Sequence, residues 1–286
     1  MDPFAYIIHW GLLKLTDMKI GIFDSVLGGL TIMAQLLKKL PQYDYVYFGD
    51  NARVPYGGRS KKIIYQFAQQ GIKFLFDQNC LLVILACNTT STNALKKLQR
   101  EFLPDSYPNH RVLGVVIPTI EELIDLNSRR IGLIGTRATI NSNAYSREIK
   151  KTIPDAKVFE QTTPLLVPII EEGETNWPGL NSILTQYLSP LLRNNIDSLV
   201  LGCTHYGIVY KQIKKIVGPK IKIIRQEELI PRKLESYLRH HQEIEHRLDI
   251  QGKTSFFVSD LNSQYYHFAE RLLGFRPKLI IKEWQP

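Results

Sequence analysis

Short, unbroken runs of Val, Ile and Leu alternate along this chain with longer amphipathic stretches, and that rhythm leaves few folds open. Runs of strand length lie at Lys19–Phe23, Asp44–Gly49, Leu81–Ala86, Leu199–Leu201, Ile221–Ile224 and Ser255–Ser259, with further short ones at Val112–Val116, Arg130–Ile134 and Lys157–Phe159. The intervening patterns predict helices over Gly28–Leu40, Ser60–Gln78, Thr92–Glu101, Asn143–Lys151, Trp177–Arg193, Tyr206–Val217, Glu227–His246 and Gln264–Leu273. Apolar runs without polar alternation belong to strands covered on both faces. Alternation with helices predicts right-handed βαβ units and mostly parallel sheets, an α/β fold. A chain of 286 residues supplies one large or two medium domains.

Two of these strands end alike. Leu81-Leu82-Val83-Ile84-Leu85-Ala86 stops at Cys87-Asn88-Thr89-Thr90, and Ser198-Leu199-Val200-Leu201-Gly202 stops at Cys203-Thr204-His205-Tyr206. Loops at the carboxyl ends of parallel strands are where such sheets bind ligands. A thiol delivered twice to such a place predicts chemistry on two faces of one substrate. Cys80, at the start of its strand, reads as a core thiol.

Several classes are disfavoured. The net charge is +9, but the Lys pairs at 38–39, 61–62, 96–97, 150–151 and 214–215 are scattered and lack aromatic interleaving, so no nucleic-acid groove is expected. No apolar run approaches the roughly 20 residues that span a bilayer. Three cysteines make no disulfide framework, and with no export signal they predict a reducing cytoplasm. No GxGxxG or GxxxxGK[ST] loop supports a nucleotide cofactor. His240, His241 and His246 read as a solvated, polar helix rather than a metal site. Residues 1–17 carry a short broken apolar stretch with neither a basic leader nor a small-residue cleavage site, and are expected to be an appended segment outside the fold.

Other strand ends carry polar groups too. Asp24-Ser25 precedes Gly28-Gly29, where a hydroxyl and helix amides suit a carboxylate and Asp24 suits an ammonium or a proton; a helix cap is the plainer alternative. The turn Pro55-Tyr56-Gly57 can present backbone amides.

Six segments together, FDSVLGGLTI, YFGDNARVPYG, ACNTTST, GVVIPTI, IGLIGTRATINSNAY and LGCTHYG, resemble the glutamate racemases of the aspartate/glutamate racemase superfamily in order and spacing. The resemblance implies two flavodoxin-like α/β domains related by a pseudo-twofold, with the active site at the domain interface. It implies a first domain of residues 18–113 plus 222–286, a second of 114–221, and commonly a homodimer. It further implies interconversion of L- and D-glutamate for peptidoglycan synthesis, without cofactor or metal. Cys87 would take the α-proton of D-glutamate and Cys203 that of L-glutamate. Asp24 would assist Cys87, while His205 and Glu171, or its neighbour Glu172, would assist Cys203. Asp24, Ser25, Tyr56, Gly57, Asn88, Thr89, Thr204 and His205 match the substrate-binding positions.

Inversion by two bases needs one thiol and one thiolate at the start. A helix N-terminus lowers a thiol pKa and a neighbouring carboxylate raises it, so helix amides and the substrate ammonium must offset the latter. The chain departs from the family at Val26, where Gly is usual and a β-branched residue resists positive φ. It departs again at Thr163, Gly207 and Arg225-Gln226, where Cys, Pro and Asp-Ser are common. Alternative readings are an aspartate racemase, which Thr204-His205-Tyr206 disfavours, and a member that binds and inhibits DNA gyrase with weak or lost activity.

Overall fold

The computed structural model describes residues 18–26 and 28–284, so the expectation for residues 1–17 lies outside the described residues. Among the described residues, ten strands form two parallel sheets: β1 (Lys19–Asp24), β2 (Tyr45–Gly49), β3 (Cys80–Leu85), β4 (Arg111–Gly114), β9 (Thr254–Val258) and β10 (Leu279–Ile281) in one, and β5 (Arg130–Gly135), β6 (Lys157–Thr162), β7 (Ser198–Gly202) and β8 (Lys222–Ile224) in the other. The larger sheet runs β10-β9-β2-β1-β3-β4 and the smaller β6-β5-β7-β8. The segments β2-β1-β3-β4 and β6-β5-β7-β8 are wound in the same order, the flavodoxin-like pattern.

Burial explains why the strands were legible. Every residue of β2, β3 and β7 is buried, as helices on both faces require. The helices lie close. A Cβ at Gly71, in the helix Lys61–Asp77, would meet the Phe23 ring at 2.3 Å, so this helix touches β1 through a position that tolerates no side chain. Helix Leu30–Lys39 packs on helix Gln226–His240. Among the described residues, no helix is long and apolar enough to cross a membrane.

Four details differ from expectation. The helix after Cys87 starts at Asn88, not Thr92. Its sequence, NTTSTN, favours turns, but its side chains are tied down: Ser91 donates to Leu85 O at 2.8 Å and Asn93 to Thr89 O at 2.9 Å. The run Val112–Val116 splits, with β4 ending at Gly114 and a helix occupying Val116–Asp125, where Pro118 is tolerated in the first turn. The stretch Glu227–His246 is two helices, Gln226–His240 and Gln242–Glu245, and it is amphipathic rather than polar, burying Leu229, Ile230, Leu234, Leu238 and Ile244. Finally, β8 pairs with β7 through Ser198↔Lys222 to Val200↔Ile224, so the expected boundary at 221/222 falls just before a strand of the smaller sheet and would separate it from that sheet. We propose a division after Gly114 and after Ile224, with β9 and β10 returning the chain to the first domain.

Candidate active site

The two cysteines arrive at one cavity from different sheets. Cys87 follows β3 and Cys203 follows β7, and both line a space of about 340 Å³ at the carboxyl ends of the strands. Ser25, Tyr56, Gly57, Asn88 and Thr89 line it from the first domain; Glu171, Thr204 and His205 line it from the second. The domains meet closely here. A Cβ at Gly28 would lie 2.5 Å from Thr204 Oγ1 and 2.7 Å from the His205 ring, so glycine is required by contact between the two halves. Thr89 Oγ1 lies 2.9 Å from Thr136 Oγ1, a hydrogen bond across the same seam.

Around Cys87 the surroundings are acidic and dry. Ser25 Oγ lies 3.3 Å from Cys87 Sγ. Burial, then the charge of Asp24, push the Cys87 thiol up to about 11, against hydrogen bonds from Ser25 and Thr90 that pull it down. The six-residue helix that follows does not offset burial, so Cys87 is a neutral thiol at neutral pH. Asp24 is fully buried, accepts the Gly29 N–H at 2.7 Å and does not line the cavity. Its carboxylate acts on Cys87 as a nearby charge.

Burial raises the Asp24 pKa from 3.8 to about 6, opposed by the charge of His205 and by backbone N–H groups. A folded-state pKa above the unfolded one means stability that is present below about pH 3.8 and lost as the pH rises through about 6. We therefore expect Asp24→Asn to be more stable than the wild type at pH 7.5, by up to about 3 kcal/mol, with the difference vanishing below about pH 4. Urea unfolding at several pH values measures this; a pH-independent difference would contradict the burial argument.

Around Cys203 a cation is built in. His205 Nδ1 lies 3.6 Å from Cys203 Sγ, and His205 Nε2 lies 3.1 Å from Glu171 Oε1. Burial disfavours the imidazolium, but the hydrogen bonds and charges of Cys203 and Glu171 outweigh it and raise the His205 pKa well above the usual histidine value. Of the two neighbouring acids, Glu171 is the one that reaches His205, while Glu172 also lines the cavity. Tyr56 is buried with its hydroxyl bonded to Asp50, so what its turn offers a ligand is backbone.

The departures fit without strain. Val26 is 4% exposed and in the core, its carbonyl accepts Tyr47 Oη–H at 2.7 Å, and it is not among the non-glycine residues with positive φ. Thr163 pairs with the Tyr206 hydroxyl at 2.5 Å. Thr136 and Arg137, which also line the cavity, were not singled out from the sequence. The signal was there, since they follow β5 at its carboxyl end.

Two parallel α/β domains closing on a cavity that carries a cysteine from each define a two-domain α/β racemase. The chain belongs to the Asp/Glu/Hydantoin racemase family, whose model matches residues 30–225. It is 38% identical to the glutamate racemase of Geobacter metallireducens over 89% of this chain and 92% of that protein. Glutamate racemase from Francisella tularensis, solved with D-glutamate, aligns with a TM-score of 0.83 at 35% identity, covering 93% of this chain and 97% of that one. Glutamate racemase isoform RacE1 from Bacillus anthracis aligns with a TM-score of 0.85 at 31% identity, covering 94% and 98%.

Proposed function

We infer that this chain interconverts L- and D-glutamate, passing the α-proton between Cys87 and Cys203. The observation that carries this reading is the placement of both thiols on one cavity, each delivered by a different domain. Their surroundings are unequal in a way that suits the reaction. Cys87 starts as a neutral thiol with a proton to give. Cys203 faces the charged His205, which holds negative charge on its sulfur or returns a proton to it. In this state the site accepts L-glutamate: Cys203 removes its α-proton, and Cys87 delivers another to the opposite face. D-glutamate requires the proton on Cys203 and the charge on Cys87.

The α-proton is weakly acidic, so the carboxylate must be stabilised as negative charge develops on it. Asn88, Thr89, Thr204 and loop amides are the donors we assign to this, in a cavity that lies between the two domains. No cofactor enters this scheme. The D-glutamate formed would serve peptidoglycan synthesis in the cytoplasm, with the enzyme as a homodimer. Sedimentation of the purified chain checks the last point.

The deciding experiment follows L- and D-glutamate, with aspartate alongside, by circular dichroism. We expect both glutamate signals to decay to zero and the aspartate signal to hold. A stable glutamate signal would overturn the reading, and decay of aspartate alone would move it to an aspartate racemase.

A further inference from the structure

We propose that Gln226 is a positioning residue for glutamate binding, fixing the Asn88 amide so that it offers the cavity a donor rather than an acceptor. The inference rests on reading this cavity as the glutamate site. Asn88, Thr119, Tyr145 and Gln226 form a buried network across the domain seam. Asn88 comes from the first domain; Thr119 and Tyr145 come from helices Val116–Asp125 and Ala144–Thr152 of the second; Gln226 opens the helix that follows β8.

The polarity of the network is forced from one end. Thr119 Oγ1 donates to Val115 O at 2.7 Å, and a carbonyl can only accept. Thr119 therefore accepts from Gln226, 3.0 Å away, which makes that atom the nitrogen Nε2. Gln226 Nε2 also donates to Tyr145 Oη at 2.8 Å, leaving Tyr145 to donate to Asn88 Oδ1 at 2.6 Å. Gln226 Oε1 then accepts from Asn88 Nδ2 at 2.6 Å. Both Gln226 N–H groups, the Tyr145 O–H and one Asn88 N–H are spent inside the network. The second hydrogen of Asn88 Nδ2 has no acceptor among the described residues, and Asn88 lines the cavity.

A flipped Asn88 would present its carbonyl to an anionic substrate. Flipping would also set its nitrogen against the Tyr145 hydroxyl and its oxygen against Gln226 Oε1, so the network forbids it. Gln226 does this without touching substrate. A shorter Ser at this position would not reach Thr119, Tyr145 and Asn88 together.

The test is a double-mutant cycle of Gln226→Met, which keeps length and volume but no polar atom, with Asn88→Ala. Wild-type racemisation of glutamate is measured first, since its absence would remove the functional reading itself before any variant is judged. We expect Gln226→Met to raise KM for both enantiomers about tenfold, the loss of one oriented hydrogen bond, with kcat changed by less than about threefold. In the Asn88→Ala background the same change should leave KM where Asn88→Ala alone puts it. A wild-type KM in Gln226→Met, or a further tenfold rise in the double variant, overturns the proposal. If Gln226→Met does not fold, Tyr145→Phe removes both the donor to Asn88 Oδ1 and an acceptor of Gln226 Nε2, loosening the same network, and carries the same direction of effect and the same failure.

Discussion

Replacing either Cys87 or Cys203 by alanine is expected to reduce racemisation by at least about a thousandfold, the loss of a proton-transfer group from one face, while Cys80→Ala stays close to wild type. All three thiols follow or begin a buried strand, so sequence position alone does not separate them. Their surroundings do. Cys80 is wholly buried among apolar neighbours and its pKa is driven far above the usual range by burial. Cys87 and Cys203 line the cavity. Each alanine variant retains one base, which gives a sharper readout than lost activity. In deuterated water, Cys87→Ala should exchange the α-proton of L-glutamate but not of D-glutamate, and Cys203→Ala the reverse. Exchange of the same enantiomer in both variants would mean that neither cysteine is required at that face, and the two-thiol assignment would fall. Thermal unfolding within a few degrees of wild type confirms that the losses are chemical.

The strands and the family were legible because both are local in the sequence. An unbroken run such as Leu81–Leu85 needs no partner to declare itself a covered strand, and a thiol at its end marks the ligand side of a parallel sheet. What failed was set by tertiary contacts. The predicted helix starts at Thr92, yet the chain is helical from Asn88, where Thr89 bonds to Thr136, Asn93 donates to Ala138 O and Ser91 Oγ accepts from Val115 N–H. The boundary expected at 221/222 separates β8 from β7, its pairing partner, because three residues of Lys, Ile and Ile do not say which edge they extend. Val26 drew concern as a β-branched residue in a glycine position, but the loop holds it without positive φ.

The site was legible as residue types but not as electrostatics. Asp24 and Cys87 are far apart in sequence, so the charge of Asp24 beside the thiol, and the burial that makes Cys87 a neutral thiol, exist only in the fold. The Gln226 network is the extreme case. Its members come from four separate segments, and nothing in Arg225-Gln226 signals that one amide there decides which atom Asn88 shows to the cavity.

Weakening the Cys203 side should produce an isotope effect in one direction only. His205→Asn removes the buried cation beside Cys203, and we expect it to lower kcat/KM by about a hundredfold or more. Because L- and D-glutamate are equal in free energy, kcat/KM must fall by the same factor from either side, so rates cannot show which step was damaged. Isotopes can. If Cys203 handles the proton of the L-enantiomer, its transfer becomes limiting in both directions once His205 is gone. Starting from L-glutamate deuterated at the α-carbon, that limiting step breaks the carbon–deuterium bond and the primary effect on kcat/KM appears in full. From deuterated D-glutamate, the bond is broken earlier at Cys87 and the limiting step moves a solvent-derived proton, so the effect collapses towards unity. Glu171→Gln, which leaves His205 in place but removes the carboxylate 3.1 Å from its Nε2, should show the same asymmetry in weaker form. Equal effects from both enantiomers in His205→Asn would mean that His205 serves both thiols alike. A full effect from D-glutamate alone would exchange the roles of the two cysteines.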